Sequence, residues 1–479
     1  MATLPITLDG ASFPFEGFCA ATPMYEKGVT LTNTMANLGA TQRDQLIDDC
    51  LARFGWMRVH CLGGEHYASN SAATLNYPAK TQSADIAYLN RRAGPFKWIV
   101  SPFAAPGAAM SQGIQTTARL TPPLYGTGVQ AHLGTTKAWQ QTKDAIEDGI
   151  KKLRIAGCDV RIISTPNELG NRSVPNYWST RLTPAQNVDF VNKVWLGTGL
   201  TGGGLKTLFP TTVLQMGDHD GFSPGETRAD YRAALFADAT ALAECTYFDA
   251  HIYQDGLTSE MQQMLGIVTD TAAWGKCIVG EFGAFNSGTA PTAASAKIAA
   301  RVPHDAICYG KSPIVGVFTP LRDIVAKNVA APNGVTFTAK PLADLNTAAG
   351  TYSYTAMWWA FKPYLLAAGR APCTALCAST RTTSNSAFDP ATGVFVTTFI
   401  RANGSIGVVY VNWSGGARSD VIEFRTGGTT VDKSGTRRTY NVMAASSQES
   451  AASAVSTTAG QSALGSVADQ TIVLLEMAA

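Results

Sequence analysis

The sequence predicts an α/β fold, a (β/α)8 barrel followed by an antiparallel β-sandwich, and three observations carry that expectation. Short apolar strands alternate eight times with helix-like stretches over roughly 350 residues, the rhythm of a parallel barrel with loop insertions. From about Arg370 the apolar period drops to two, with turn residues between the runs. Two of the barrel strands end in a glutamate, Glu168 and Glu281, and the C-terminal strand ends of such a barrel are where chemistry sits.

In chain order, residues 1–14 read as a strand and turn outside the barrel that pairs with the later β-domain; residues 15–369 form the barrel and 370–479 the sandwich. Phe15 to Ala21 is the first barrel strand. Thr41 to Phe54 places Leu46, Ile47, Cys50, Leu51 and Phe54 at helical spacing, with Thr41 as its cap. Gly55 to His60 is the second strand, Ser83 to Arg92 a helix, and Phe96 to Met110 the third strand. A Gly/Pro loop then leads to a helix ending near Ala156. The fourth strand, Val160 to Ser164, runs on to Pro166, Asn167 and Glu168, and Thr183 to Leu196 is its helix. The fifth strand spans Thr211 to Met216, with a helix over Arg228 to Leu242. Tyr247 to Tyr253 is the sixth, Lys276 to Gly280 the seventh and Pro313 to Phe318 the eighth; an aromatic helix, Thr351 to Leu366, closes the series. Beyond it, VFVTTFIRANGSIGVVYVNWS alternates around Asn403-Gly404, a hairpin signal, and VIEF, TYNVM and TIVLLEM supply further strands. A doubly wound sheet is the rival architecture, but no glycine-rich phosphate loop follows the first strand, and GTGLTGGGL lies after a helix.

At 479 residues the chain is long enough for a barrel and a companion domain. Only 15% of residues are charged and the net charge is +2, which argues against a nucleic-acid partner. No apolar run reaches the ~20 residues needed to span a bilayer. Low charge with abundant Gly, Ala, Ser and Thr suits a secreted or cell-surface protein, monomeric or a small homo-oligomer. The first residues, MATLPITLDG, lack the basic and apolar regions of a signal peptide. Nine cysteines leave at least one unpaired; Cys61, Cys158, Cys277 and Cys308 read as small core residues, and Cys373 and Cys377 are close enough for a local disulfide. No Cys/His spacing resembles a zinc site. Sequons occur at Asn171, Asn403 and Asn412.

Two carboxylates at two strand ends are the equipment for work on a glycosidic bond. The bland reading of Asn167-Glu168 is a helix start, with Asn as cap and Glu meeting the dipole. The motifs PNE at the fourth strand end, GEF at the seventh, MRVH at the second and AHIY at the sixth resemble the retaining glycoside hydrolases of clan A. The SPFAAPGAAM loop, the final helix and the trailing β-domain are most similar to family 30, with its glucosylceramidases and xylanases; agarase- and porphyranase-type families share the layout. The resemblance implies Glu281 as nucleophile and Glu168 as general acid and then base. Two such acids ~5 Å apart cannot both be charged comfortably, so the pKa of the acid is raised. It further implies that Arg58 faces Glu281, Asn167 bonds the sugar 2-hydroxyl, Tyr253 bonds Glu281 and His251 lines the cleft near Glu168. Arg58 reads equally as an ion-pair partner and His251 as a core histidine.

Of the aromatics Tyr67, Tyr125, Trp139, Tyr177, Trp178 and Phe285, the expected sugar-stacking set is Tyr177, Trp178 and Phe285, which follow the two glutamates; Trp358 and Trp359 read as packing. Asp218, His219 and Asp220 form a polar loop that could also bind hydroxyls or a cation. The sequence departs from the clan at the eighth strand, where Phe318 stands in place of the usual tryptophan, and this bears on which sugar is held. The expected substrate is a polysaccharide or oligosaccharide, and the mechanism needs no metal or organic cofactor. The rival functions are a barrel that binds carbohydrate without turnover and a structural surface or virion protein, the latter suggested by the Ser/Thr/Ala-rich stretch Ala444 to Ala463.

Overall fold

Eight short apolar strands close into a ring in the computed structural model. It describes residues 3–21, 38–61, 80–102, 136–166, 182–217, 228–253, 277–284, 293–308, 310–323, 341–346, 348–376, 393–444 and 448–479. In chain order, β1 (Thr3–Thr7) and β2 (Ser12–Phe15) precede the barrel strands β3 (Gly17–Ala21), β4 (Trp56–Cys61), β5 (Lys97–Pro102), β6 (Asp159–Ser164), β7 (Val213–Met216), β8 (Cys245–Tyr253), β9 (Cys277–Gly283) and β10 (Ile314–Val317). These eight are parallel and pair in sequence order, with β10 closing on β3. The expected barrel is therefore present.

After it come β11 (Leu321–Asp323), β12 (Ala343–Asn346) and β13 (Thr351–Tyr354), a small sheet of its own. The remaining strands are β14 (Cys373–Leu376), β15 (Val394–Arg401), β16 (Ile406–Asn412), β17 (Val421–Thr426), β18 (Thr429–Thr430), β19 (Ser434–Asn441), β20 (Ser453–Ser456), β21 (Gln461–Ala463) and β22 (Thr471–Met477). They form two sheets, one ordered β2-β14-β15-β16-β22-β19-β20 and one in which β17 is flanked by β1, β18 and β21. Both N-terminal strands thus belong to this β-domain. Leu4, Ile6, Val408, Tyr410, Phe424 and Leu475 are among the side chains that fill the space between the sheets.

The other face of the seven-stranded sheet packs on the barrel helices Ala293–Cys308 and Ala356–Ala368. That double cover explains why β16 is buried at every position, although its sequence was read as alternating. A chain of aromatic contacts crosses the junction. Phe15 lies 5.0 Å from Phe18 and 5.5 Å from Phe399, and Phe361 of the last helix lies 5.1 Å from Phe18 and 5.4 Å from Phe282. Each such pair contributes ~0.5–1.5 kcal/mol beyond its area, so the contacts tie strand, helix and sandwich together.

Several local expectations are corrected. Thr41 lies inside its helix, whose N-cap is Gly39. The helix expected over Arg228 to Leu242 is two helices, because Asp238 leaves helical geometry and accepts the Ala241 N–H as a fresh cap. The one from Thr183 begins with a full capping box between Thr183 and Gln186 but widens to a π-turn over Val191–Trp195. Thr351–Tyr354 is a strand paired with β12; the last helix starts only at Ala356. Asn412 is fully buried and donates to the carbonyls of Gly416, Val467 and Ala468, so its sequon serves packing. The Ser/Thr/Ala-rich stretch contributes β20 and β21. Cys158, Cys277 and Cys308 are buried as expected; Cys377 lies outside the described residues. No helix among the described residues is long and apolar enough to cross a membrane.

Candidate active site

The barrel interior is built in two layers that the sequence spaces by two residues. The lower layer is apolar: Cys19, Trp56, Ile99, Ile162, Ile278 and Ile314 pack together, with Val213 and Tyr247 against them. Moving two residues toward the C-terminal end of each strand gives Ala21, Arg58, Ser101, Ser164, Gln215, Asp249, Gly280 and Gly316. Successive inward positions of a strand are two apart, so an apolar floor carries a polar tier on the side where barrel enzymes work.

The polar tier is tightly bonded. Arg58 Nη1 donates to Glu281 Oε1, and its Nη2 donates to Ser101 Oγ at 3.0 Å. Ser164 Oγ lies 2.9 Å from Ser101 Oγ and donates to the Thr165 carbonyl at 2.6 Å. Gln215 Nε2 donates to Asp249 Oδ2 at 2.7 Å. His251 stands between two carboxylates, with Nε2 3.6 Å from Asp249 Oδ2 and Nδ1 3.7 Å from Glu281 Oε2. Arg58 and His251 are fully buried and Glu281 is 3% exposed, so these groups interact with little water between them. Burial pushes the Cys19 thiol, beneath Arg58, far above the usual thiol range, and Asp249 and Glu281 add to that against the opposing pull of Arg58.

Glu281 owes its direction to a bulge. On β9 and β8 the pairs Val279 with Ala250 and Glu281 with His251 leave one residue of β9 over, and β10 registers the same excess between Val279 and Phe282. Val279 and Phe282 both face the outer helices in the main core. Gly280 and Glu281 therefore both turn inward, which regular alternation forbids. Phe282, immediately after the glutamate, is anchored on Phe361 and its carbonyl accepts the N–H of Phe318 at 2.7 Å. Phe318, half-buried, thus sits at the rim beside the Glu281 strand.

Of the residues expected in a site, the structure brings together Arg58, Glu281 and His251. Tyr253 ends β8, its backbone alone being described. Asn167, Glu168, Tyr177, Trp178, Phe285 and Asp218 to Asp220 lie outside the described residues, as do Tyr67 and Tyr125; β6 stops at Ser164, four residues before Glu168. Trp139 is core, packed edge-on against Phe190. Sequence reasoning missed Ser101, Ser164, Gln215 and Asp249. Their signal was available: each is a polar residue two places beyond an apolar inward one.

A closed parallel eight-strand barrel flanked by a sandwich is a fold that this chain shares with solved glycoside hydrolases of families 30 and 51, and the resemblance read from the sequence is borne out at the level of fold. No protein-family model matches the chain, and no curated protein does. Among solved structures, the catalytic domain of the GH30 xylanase C of Talaromyces cellulolyticus is 15% identical with a TM-score of 0.65, over 100% of both chains. An endo-β-1,6-glucanase is 14% identical with a TM-score of 0.71, over 100% of this chain and 94% of its own. The GH51 arabinofuranosidase of Xanthomonas axonopodis pv. citri is 12% identical with a TM-score of 0.59, over 99% of each. At such identities the likeness is one of fold.

Proposed function

We propose that the protein is a retaining β-glycoside hydrolase acting on a polysaccharide or oligosaccharide. The observation that carries this reading is Glu281, aimed into a polar barrel mouth at a strand end and met there by Arg58 and His251. Glu281 attacks the anomeric carbon as the bond to the leaving oxygen breaks and Glu168 supplies that oxygen with a proton. Water then attacks the glycosyl-enzyme, Glu168 takes its proton and Glu281 is released. Arg58 holds the Glu281 carboxylate in place, Asn167 binds the sugar 2-hydroxyl, Tyr253 and His251 flank the reacting carboxylates, and Tyr177, Trp178 and Phe285 supply stacking surfaces. Residues 15–369 are the catalytic barrel and 370–479, with 1–14, its β-domain. The double displacement uses only side chains and water. The protein acts outside the cell or at its surface, as a monomer or small homo-oligomer.

The test is turnover of a panel of p-nitrophenyl β-glycosides and plant, algal and fungal glycans, with the anomeric configuration of the first-formed product read by NMR. Retention is expected. In Glu281→Ala turnover should vanish, and azide should restore it with an inverted glycosyl azide as product. Binding without turnover throughout the panel would replace this reading with that of a carbohydrate-binding barrel, and inverted product from the unmodified enzyme would refute the double displacement.

A further inference from the structure

The bulge that turns Glu281 inward leaves a backbone group without its ladder partner, since an extra residue in one strand disrupts the local pairing. That group is the Gly280 N–H, and Asp249 Oδ1 on the neighbouring strand accepts it at 2.5 Å. The second oxygen of the same carboxylate accepts from Gln215 at 2.7 Å and faces His251 Nε2 at 3.6 Å. Gly280 is shaped to this arrangement: a Cβ there would lie 2.1 Å from Asp249 Oδ2, a separation no side chain tolerates. Asp249 is 1% exposed, so its carboxylate works away from water. An inward Asp in a barrel strand needs a structural reason, and the bonds name it: three strands, β7, β8 and β9, are joined through one carboxylate at the point where the extra residue sits.

We infer that Asp249 is a positioning residue which holds the Gly280 bulge and the His251 ring, and through them aims Glu281. This rests on the reading of Glu281 as nucleophile, and it assigns Asp249 no contact with substrate. Loss of the Asp249 acceptor frees the bulge to relax toward regular pairing, in which Glu281 turns toward the outer helices. A misplacement of about 1 Å in a reacting group costs about 10²-fold in rate.

Two readouts test it. Hydrogen-exchange mass spectrometry of the segment Cys277–Gly283 reports the bulge directly, and kcat and KM on p-nitrophenyl β-glycosides report the aim of Glu281. In Asp249→Ala, exchange of that segment should rise about tenfold while Lys97–Pro102 keeps its protection, and kcat should fall about 10²-fold with KM within about threefold. Asp249→Asn keeps an acceptor for the Gly280 N–H and should retain the protection and at least about a tenth of kcat. If Asp249→Ala does not fold, Gly280→Ala supplies the same perturbation from the other side, because its methyl must displace the carboxylate. Its exchange at the bulge should rise in the same way. Parent-like exchange at Cys277–Gly283 in a folded Ala variant overturns the inference, as does protection lost evenly from every barrel strand with kcat per folded molecule unchanged. Failure of the glycosidase reading would look different: the unmodified protein would turn over nothing, while the exchange measurement would still decide whether Asp249 holds the bulge.

Discussion

Arg58 and Glu281 meet across the barrel mouth from β4 and β9, strands that do not pair with each other, and the arginine is completely buried in making the contact. Its guanidinium spans two partners, Glu281 and Ser101, as a planar fork can and an ammonium cannot.

Removing one partner of a buried ion pair leaves an uncompensated charge at a cost of about 3–5 kcal/mol. Arg58→Met and Glu281→Gln are therefore each expected to lower Tm and to abolish turnover. The double variant Arg58→Met/Glu281→Gln, with no lone charge, should melt above Arg58→Met. Differential scanning calorimetry of the three checks this; a double variant no more stable than Arg58→Met contradicts it.

Glu168→Ala should discriminate between leaving groups. An aryl glycoside with an acidic phenol departs without a proton donor, so its first step should stay within about tenfold of the parent. A natural glycan needs the proton and should lose about 10²- to 10⁴-fold. Steady-state rates over a series of substituted phenols measure the slope, and a slope equal to the parent's would remove Glu168 from the acid role.

At Gly407 the sandwich lies hard against the last barrel helix, where a Cβ would lie 2.2 Å from the Ala367 carbonyl oxygen. Gly407→Ala should therefore destabilise by about 1–3 kcal/mol through overpacking, with kcat per folded molecule unchanged. Gly416, with no heavy atom within 4 Å of its Cβ position, is the neutral control.

Stability should fall on both sides of neutrality for separate reasons. Burial pushes the Cys158 thiol up to about 12 against the pull of Asn90, and raises Cys19, Cys50, Tyr247 and Tyr354 well above their ordinary ranges. The folded state keeps these protons where the unfolded chain loses them, at roughly pH 8.5–10. The stabilisation is complete below that range and is lost progressively as pH rises from it through the higher folded values. On the acid side, burial would raise the Glu449 carboxyl, but Lys362, Tyr440 and Arg438 together hold it below the usual range. Its contribution is present above about pH 4.3 and lost as pH falls. Tm against pH should show both limbs, and Glu449→Gln should make the acid one shallower without removing it, since Asp44, Glu147, Asp238, Glu244 and Glu423 are also held below the usual range.

The barrel was legible because its strands are short apolar runs separated by helix-like stretches, and Glu281 because a carboxylate closes one of those runs. The inward placing of Asp249 was legible in YFDAHIY, but what it bonds was not. Period-two reading puts it inward, but its partner is a backbone N–H exposed by a bulge on another strand, and a bulge leaves no mark in composition. The helix break at Asp238 was misread because alanines and leucines, good helix formers, lie on both sides of it, and a single aspartate between them did not stand out as a cap. Thr351–Tyr354 was drawn into a helix by the aromatics that follow it, although Thr-Tyr-Ser-Tyr has the β-branched and aromatic character of a strand.

Strands β1 and β2 reach the β-domain before the barrel begins: β1 lies in parallel register along β17, and β2 covers β14. The domain is thus sealed by residues 3–15 and cannot be complete until β22, more than 450 residues later in the chain, has followed them out of the ribosome. A fragment begun at residue 370 would carry two bare sheet margins, along β14 and β17, and should associate with other copies or precipitate, whereas adding a peptide of residues 1–15 in trans should restore it to solution.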